Sequence, residues 1–286
     1  MFSLMKKLFA GSFALLTALF IFISDINDGP PKPNFLEPVS TTSYTLVDTL
    51  IRAQGMANNG ESFYFSSNYG LIKTALDGVT ILAANYLAIP PKLLLEGCKH
   101  IGGITYYDGK IYAPVEDSKV FEHLYICTYD AETLEFIAAY PLPLDKHENG
   151  VPWCVADPAK GWIYSARRDH ITTINVYDAE TMAFVKTIEI NAPVHKVQGG
   201  DMYRGILYLS ISRDDQAVFA VNLNTGEVQK AFARNLVDGA EGEGMTILPM
   251  PNGSLFHVQD LAKDYLGSHV RHYAFDVDSI NWELSS

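Results

Sequence analysis

Cysteine is scarce in this 286-residue chain, which contains only Cys98, Cys127 and Cys154. Three scattered thiols are too few for a disulfide framework and lack the paired spacing of a structural zinc site. At most one disulfide can form. Cys127 lies in a strand-like run, LYICTYD at residues 124–130, so we expect its thiol to be buried and structural.

Positive charge is scarce as well. The chain has 21 Lys and Arg residues against 33 Asp and Glu residues, which gives a formal net charge of −12. No basic run interrupts this excess, and an acidic surface repels nucleic acid and anionic lipid head groups. The composition therefore excludes nucleic-acid binding and is compatible with cation binding.

Several catalytic signatures are absent. The sequence contains no nucleophile elbow, no P-loop, no dinucleotide fingerprint and no HExxH zinc motif. A Ser-His-Asp triad is compatible with the composition, but nothing in the pattern singles out one serine.

The N-terminus has the pattern of a targeting segment. Lys6 and Lys7 precede an uncharged apolar run at residues 8–23, the layout of a signal peptide or an uncleaved signal-anchor. A lipoprotein is not expected, because no cysteine follows the run. We assign 1–24 to this segment and 25–40 to a Pro-rich linker. The rest of the protein is expected to be secreted, periplasmic or tethered to a membrane outside the cytoplasm.

Residues 41–286 contain an internal repeat. The first recurring element is a glycine, a turn and a strand that ends in an aromatic residue, at 54–65, 102–113, 153–165, 199–210 and 243–258. The second is a strand, an Asp- or Asn-rich turn and another strand, at 71–78, 125–137, 174–185, 218–232 and 272–280. Repeats of this length that consist of four strands are typical of propeller blades.

The repeat predicts an all-β protein, a β-propeller of five four-stranded blades over residues 41–286. A six-bladed ring is the alternative, and it would require a degenerate blade within 79–97. The last blade needs a fourth strand to remove its exposed edge. Either residues 280–284 or the N-terminal strand at 43–51 can supply it.

Propeller topology brings together side chains that are distant in the sequence. The loops that enter each innermost strand and the loops between the second and third strands lie on one face, around the mouth of the central channel. From these loops we predict ligand-binding residues Arg52, Gln54, Trp153, Arg167, Arg168, His195 and Gln198.

The acidic segment at 238–246 adds a candidate cation site. Glu241 and Glu243 point to the same side of an extended chain, and neighbouring carboxylates repel unless a cation or a proton lies between them. We predict that Gln54, Gln198, Glu241 and Glu243 bind calcium, which accepts six to eight oxygen ligands. The predicted catalytic residues are His100, as a general base, and Glu243.

Two short motifs resemble known propeller families. Gln54-Gly55, YFSSNYG at 64–70 and HIGGIT at 100–105 resemble the plant-type glutaminyl cyclases, which have five blades. That resemblance implies cyclisation of an N-terminal glutamine. The EGEGMT segment at 241–246 resembles the calcium-ligand region of the SMP-30-like lactonases, which implies a calcium-dependent hydrolase.

Two classes of function follow from these observations. The first is a non-catalytic propeller, expected to be a monomer, that binds a small ligand, a cation or a protein partner at its channel mouth and loop face. The second is a metal-assisted hydrolase of a small ester, lactone or phosphate. A glutaminyl-cyclase-like aminoacyltransferase is a further alternative.

Overall fold

A computed structural model describes residues 38–212, 216–263 and 265–274. These residues form strands β1–β21 and helices α1 and α2, numbered in chain order. Strand β1 is Ser40–Tyr44, α1 is Leu46–Thr49, α2 is Pro91–Leu95, and a 3-10 turn covers Leu144–Lys146. Neither helix has the length or hydropathy of a membrane span. The predicted targeting segment and almost all of the linker lie outside the described residues.

Five antiparallel sheets are arranged as a five-bladed β-propeller. Blade one comprises β2–β5: Met56–Asn58, Phe63–Ser66, Leu71–Thr74 and Ile81–Asn85. Blade two comprises β6–β10: His100–Ile101, Thr105–Tyr107, Lys110–Glu116, Leu124–Asp130 and Phe136–Pro141. Its innermost strand is divided, since β6 and β7 both pair with β8.

The remaining blades follow the same order. Blade three comprises β11–β14: Cys154–Asp157, Trp162–Ser165, Ile171–Asp178 and Phe184–Val194. Blade four comprises β15–β18: Val197–Tyr203, Ile206–Ile211, Ala217–Asn222 and Glu227–Ala233. Blade five comprises β19–β21, Glu241–Ile247, Phe256–Leu261 and Ser268–Tyr273, with β1 as its outermost strand.

This arrangement decides the two alternatives left open by the sequence. The segment at 79–97 supplies the outer strand of blade one and helix α2, so the described residues leave no place there for a sixth blade. Ser40 pairs with His272 and Tyr44 with Ser268, so the N-terminal strand completes blade five. This strand is Ser40–Tyr44, and the chain turns into α1 where the sequence predicted that the strand would continue. Residues 280–284 lie outside the described part of the chain.

The repeated Asp- or Asn-rich segments are turns between the third and fourth strands. The Asp130 carboxylate accepts hydrogen bonds from the backbone N–H and the hydroxyl of Thr133, at 2.8 and 3.0 Å. Asp178 accepts the same two bonds from Thr181, at 2.8 and 2.7 Å. An aspartate that caps its own turn in this way favours a tight reversal. The near-identical YDAET segments therefore reflect one local hydrogen-bonding pattern.

The core lies between adjacent blades, where five clusters of buried side chains each join one pair of blades. The aromatic residues predicted at strand ends fill these clusters. Tyr208 of blade four packs edge-on against Phe256 of blade five, with their ring centroids 5.0 Å apart. The three cysteines are free and buried, as expected for Cys127.

Glycines let the innermost strands touch along the propeller axis. The Gly244 N–H donates to the carbonyl of Gln54 at 2.7 Å, and the Gly103 N–H donates to the carbonyl of Pro152 at 2.8 Å. A Cβ at Gly103 would lie 2.3 Å from the Gln198 carbonyl, closer than any side chain tolerates. This constriction, which we call the glycine waist, divides the channel into two cavities.

Candidate functional site

The channel mouth is a polar cavity of about 410 Å³ on one side of the glycine waist. It is formed by the residues that precede the waist glycines and by the loops between second and third strands. Its lining consists of Gln54, Asn68, His100, Arg168, Asp169, Lys196, Gln198, Ser212, Glu241 and Glu243. The fold therefore brings residues of these loops together on one face, around the channel mouth, as the sequence predicted.

Glu243 lies immediately before Gly244 and lines this cavity. Its side chain is buried, and neither carboxyl oxygen has a hydrogen-bond partner among the described residues. Burial and the nearby Glu241 carboxylate raise the pKa of Glu243 well above its usual range, although the charges of Arg234 and Arg168 oppose the shift. An unpaired buried carboxyl group is rare and costly, so it needs an explanation.

Glu116 fixes the side chains of Arg168 and His100, which line the cavity on the side of blades two and three. Its buried carboxylate accepts a 2.6 Å bond from Arg168 Nη2 and a 2.7 Å bond from the Val151 N–H, and His100 Nδ1 lies 3.3 Å away. Burial alone would raise the pKa of Glu116. The bond and charge of His100, together with Arg168 and Val151, outweigh burial and lower it.

His100 is fixed from both sides of its ring. Nδ1 faces the Glu116 carboxylate, and Nε2 lies 2.7 Å from Gln54 Oε1. Gln54 Oε1 only accepts, so Nε2 carries a proton in this contact, whereas Nδ1 makes no hydrogen bond among the described residues. His100 therefore presents a rigid edge to the cavity, an arrangement compatible with binding or with proton transfer.

Six of the predicted site residues line the cavity. They are Gln54, His100, Arg168, Gln198, Glu241 and Glu243. They come from blades one, two, three, four and five, so every blade contributes at least one side chain.

Arg52 and Trp153 lie elsewhere. Arg52 is buried under the ring of Tyr44, 4.3 Å from its centroid, and donates to the carbonyl of Gly78. It therefore joins blade one to the outer strand of blade five. Trp153 is fully buried in the cluster between blades three and four, so its indole packs in the core.

Arg167 and His195 lie on the rim outside the cavity. Arg167 donates to the carbonyl of His170 at 2.7 Å and forms a 3.0 Å ion pair with Glu148. His195 Nδ1 lies 3.0 Å from the Asp169 carboxylate, and both side chains are largely exposed. The Arg167 contacts stay within blade three and the segment that leads into it, whereas the contact of His195 with Asp169 joins the loops of blades three and four.

The sequence analysis did not single out Lys196 or Ser212, which also line the cavity. Lys196 lies just before β15 with a φ of +50°, in the left-handed region, so it is not part of the extended chain that carries Gln198. The alternation of side chains along a strand therefore could not have found Lys196. Ser212 begins a loop whose next three residues lie outside the described ranges, and its sequence carries no signal either.

The cavity on the other side of the waist has a volume of about 330 Å³ and is lined by residues that follow the waist glycines. Its carboxyl group is that of Asp201, whose pKa is raised to about 6 because burial outweighs its hydrogen bonds. Those bonds come from the Ile247 N–H and the Thr246 hydroxyl, both at 2.8 Å. Because Asp201 already has donors, this cavity lacks an unpaired group comparable to Glu243.

The residues of the channel mouth suit a cation only in part. Among the described residues, no group of three or more His, Cys, Asp or Glu side chains is placed to hold a metal ion. Calcium binds six to eight oxygens, and the predicted ligands Gln54, Gln198, Glu241 and Glu243 all line the cavity. Gln54 Oε1 already bonds to His100. The unpaired Glu243 oxygens are the feature that fits a cation.

Comparison with known proteins gives no closer identification. No family model matches the sequence, and no curated protein matches it. Among solved structures, a computationally designed protein, Ika8, has a TM-score of 0.39 and 11% identity over 76% of this chain and 57% of its own. A chain of a mitotic checkpoint complex has a TM-score of 0.41 and 9% identity over 77% and 61%. This chain spans less than two thirds of either match, and neither match carries an argument about function.

Proposed function

We propose that this propeller acts outside the cytoplasm and binds a small polar ligand in its channel mouth. The carboxylate of Glu243 would anchor the ligand by pairing with a positive charge, which either a bound metal ion or an ammonium group of the ligand supplies. The observation that carries the proposal is the unpaired, buried Glu243 carboxyl group at the cavity wall. A cation, either a divalent metal such as calcium or an ammonium group, gives this carboxylate the partner that the protein does not supply.

The second acidic side chain strengthens the case for a cation. Glu241 lines the same cavity, and its charge raises the pKa of Glu243. Two neighbouring carboxylates disfavour ionisation of each other, and a bound cation removes that penalty. The rigid wall of Glu116, His100 and Arg168 would then orient the polar part of the ligand.

Thermal unfolding of the purified full-length chain tests this proposal. We expect excess calcium to raise the melting temperature relative to a chelator, because a ligand that binds only the folded state stabilises it. Glu243→Gln should abolish the rise. Glu61→Gln is the matched control, because Glu61 is exposed on the turn between β2 and β3.

The competing outcomes are separable. If Ca²⁺, Mg²⁺ and Zn²⁺ each leave the melting temperature of the wild-type chain unchanged, the metal form of the proposal is wrong, and small primary amines become the probe. If amines also give no shift that depends on Glu243, the cation anchor is wrong altogether.

His100 supports a second candidate function, a metal-assisted hydrolase. The ring borders the cavity. It serves as a general base in the tautomer with the proton on Nδ1, toward Glu116, and this tautomer requires Gln54 Oε1 to leave Nε2. Esters, lactones and phosphate esters are the substrates to screen with calcium present, and a peptide with N-terminal glutamine tests the resemblance to glutaminyl cyclases. His100→Ala should abolish any turnover while calcium still raises the melting temperature.

A further inference from the structure

The outer side of blade one exposes an unusual concentration of apolar side chains. Large hydrophobic residues lie on β5 and on the segment that follows it to the end of α2. Leu87 is 79% exposed and Leu95 is 90% exposed. We call this the blade-one apolar surface, defined by Ile81, Leu82, Tyr86, Leu87, Leu94 and Leu95.

These residues lie close together in the sequence, within 81–95. The segment after β5 is fixed to blade one by the Ala88 N–H, which donates to the carbonyl of Tyr69 at 2.7 Å. In α2, Leu93 is buried while Leu94 and Leu95 face outward. Single exposed hydrophobic residues are ordinary, whereas a clustered patch marks an interaction site.

Charge is nearly absent from this segment. Residues 78–95 contain one charged residue, Lys92, in a protein whose net charge is −12. By contrast, the outermost strands of blades three and four carry charges of both signs, including Lys186, Glu189, Glu227 and Lys230. The outermost strand of blade two is also uncharged, but it exposes only two large apolar side chains, Phe136 and Ile137. Charged residues on an outer strand discourage contact with other surfaces, and β5 has none.

The position of the N-terminal chain indicates what kind of partner contacts the blade-one apolar surface. The apolar run at 8–23 leads through residues 24–39 into β1, the outer strand of blade five. Those sixteen residues span at most about 55 Å when fully extended. Arg52 stacks on Tyr44 of β1 and donates to the Gly78 carbonyl, at the start of the uncharged segment. The strand that follows the apolar run thus contacts blade one through Tyr44, at its C-terminal end.

We propose that the blade-one apolar surface lies against a lipid bilayer whose head groups carry no net charge. The N-terminal run supplies the anchor, and the apolar surface fixes the orientation of the propeller on the bilayer. The absence of acidic side chains from the patch allows this contact in an otherwise acidic protein. The proposal does not depend on the ligand site.

Depth-sensitive fluorescence on the full-length chain in phosphatidylcholine vesicles tests the orientation. Leu95→Cys and Val185→Cys each carry an environment-sensitive label, and the native thiols do not compete because all three are buried. Val185 is the matched control, an exposed apolar residue on the outer strand of blade three. We expect spin-labelled lipid to quench the label at position 95 at least twofold more than the label at 185.

Each other outcome overturns the proposal. Equal quenching at both positions means that the propeller has no fixed side toward the bilayer. A spectral shift at position 95 that depends on protein concentration, without lipid quenching, means that the surface joins two copies of the chain. Failure of the full-length chain to associate with vesicles removes both the anchor and the docking surface.

Discussion

Glu243 is a residue whose ionisation differs clearly between the folded and the unfolded chain. Its folded pKa lies well above the ordinary value of 4.5 because the carboxyl group is buried and Glu241 is near. The folded state therefore holds this proton more tightly, and its contribution to stability is present below pH 4.5 and is lost as the pH rises toward the folded pKa.

Glu243→Gln should remove that loss. We expect the free energy of unfolding of the variant to decline less than that of the wild type between pH 4.5 and pH 8, when a chelator is present. Urea unfolding across this range measures the difference. Parallel profiles for the two proteins would show that Glu243 ionises freely and would remove the argument for an unpaired buried carboxyl group.

Arg168 and Arg167 are neighbours in sequence with different expected effects. Arg168→Ala leaves the buried Glu116 carboxylate without its cationic partner, so we expect a loss of about 2 kcal/mol in the free energy of unfolding. Arg167 pairs with the exposed Glu148, and Arg167→Ala should cost at most about 1 kcal/mol. Urea unfolding at pH 7 compares the two, and equal losses would contradict the role assigned to Glu116.

At the scale of elements, the outer strands of blade five are joined by a chain of histidines. His257 Nε2 lies 2.8 Å from the Leu248 carbonyl, which only accepts, so this nitrogen carries a proton. His257 Nδ1 then accepts from His272 Nδ1 at 2.8 Å, and His272 Nε2 accepts from the Thr42 hydroxyl at 2.9 Å. Both rings are neutral in this arrangement, which ties β1 to β20 through β21.

Acid should weaken this connection. A second proton on His257 would place two N–H groups face to face, and burial lowers the pKa of His257 to about 4. Because the folded pKa is depressed below the ordinary value of 6.5, stability is complete above that pH and is lost as the pH falls toward 4. The loss amounts to about 3 kcal/mol.

Burial also lowers the pKa of His147 to about 4. Because His257→Gln retains His147, the difference between this variant and the wild type measures the contribution of His257 alone. His257→Gln should flatten the decline in the free energy of unfolding between pH 6.5 and pH 4, and the exposed His170→Gln should not. Chemical unfolding at several pH values measures both. A decline that persists unchanged in His257→Gln would assign the acid sensitivity to other groups.

For the molecule as a whole, local patterns in the sequence predicted the blades and left their closure open. The Asp130–Thr133 and Asp178–Thr181 turns form within five residues, so the repeat that they produce is visible in the sequence. The pairing of Ser40 with His272 joins the two ends of the domain, and no local pattern encodes it. The same limit explains why the sequence placed Arg52 among the ligand-binding residues. Its contact with Tyr44 can be recognised only after β1 has been placed in blade five.

Closure of the ring gives the last prediction. Strand β1 pairs only with β21 among the described strands, and its Tyr44 covers the buried Arg52. Removal of residues 1–44 exposes the edge of β21 and leaves Arg52 without that cover, whereas removal of 1–37 retains the strand. We expect the longer deletion to melt at least about 10 °C below the shorter one, since each 1 kcal/mol shifts the midpoint by about 2–4 °C in a domain of this size.

An unpaired edge also promotes association, so size-exclusion chromatography should show larger species for the longer deletion alone. Equal melting temperatures would mean that another segment closes blade five.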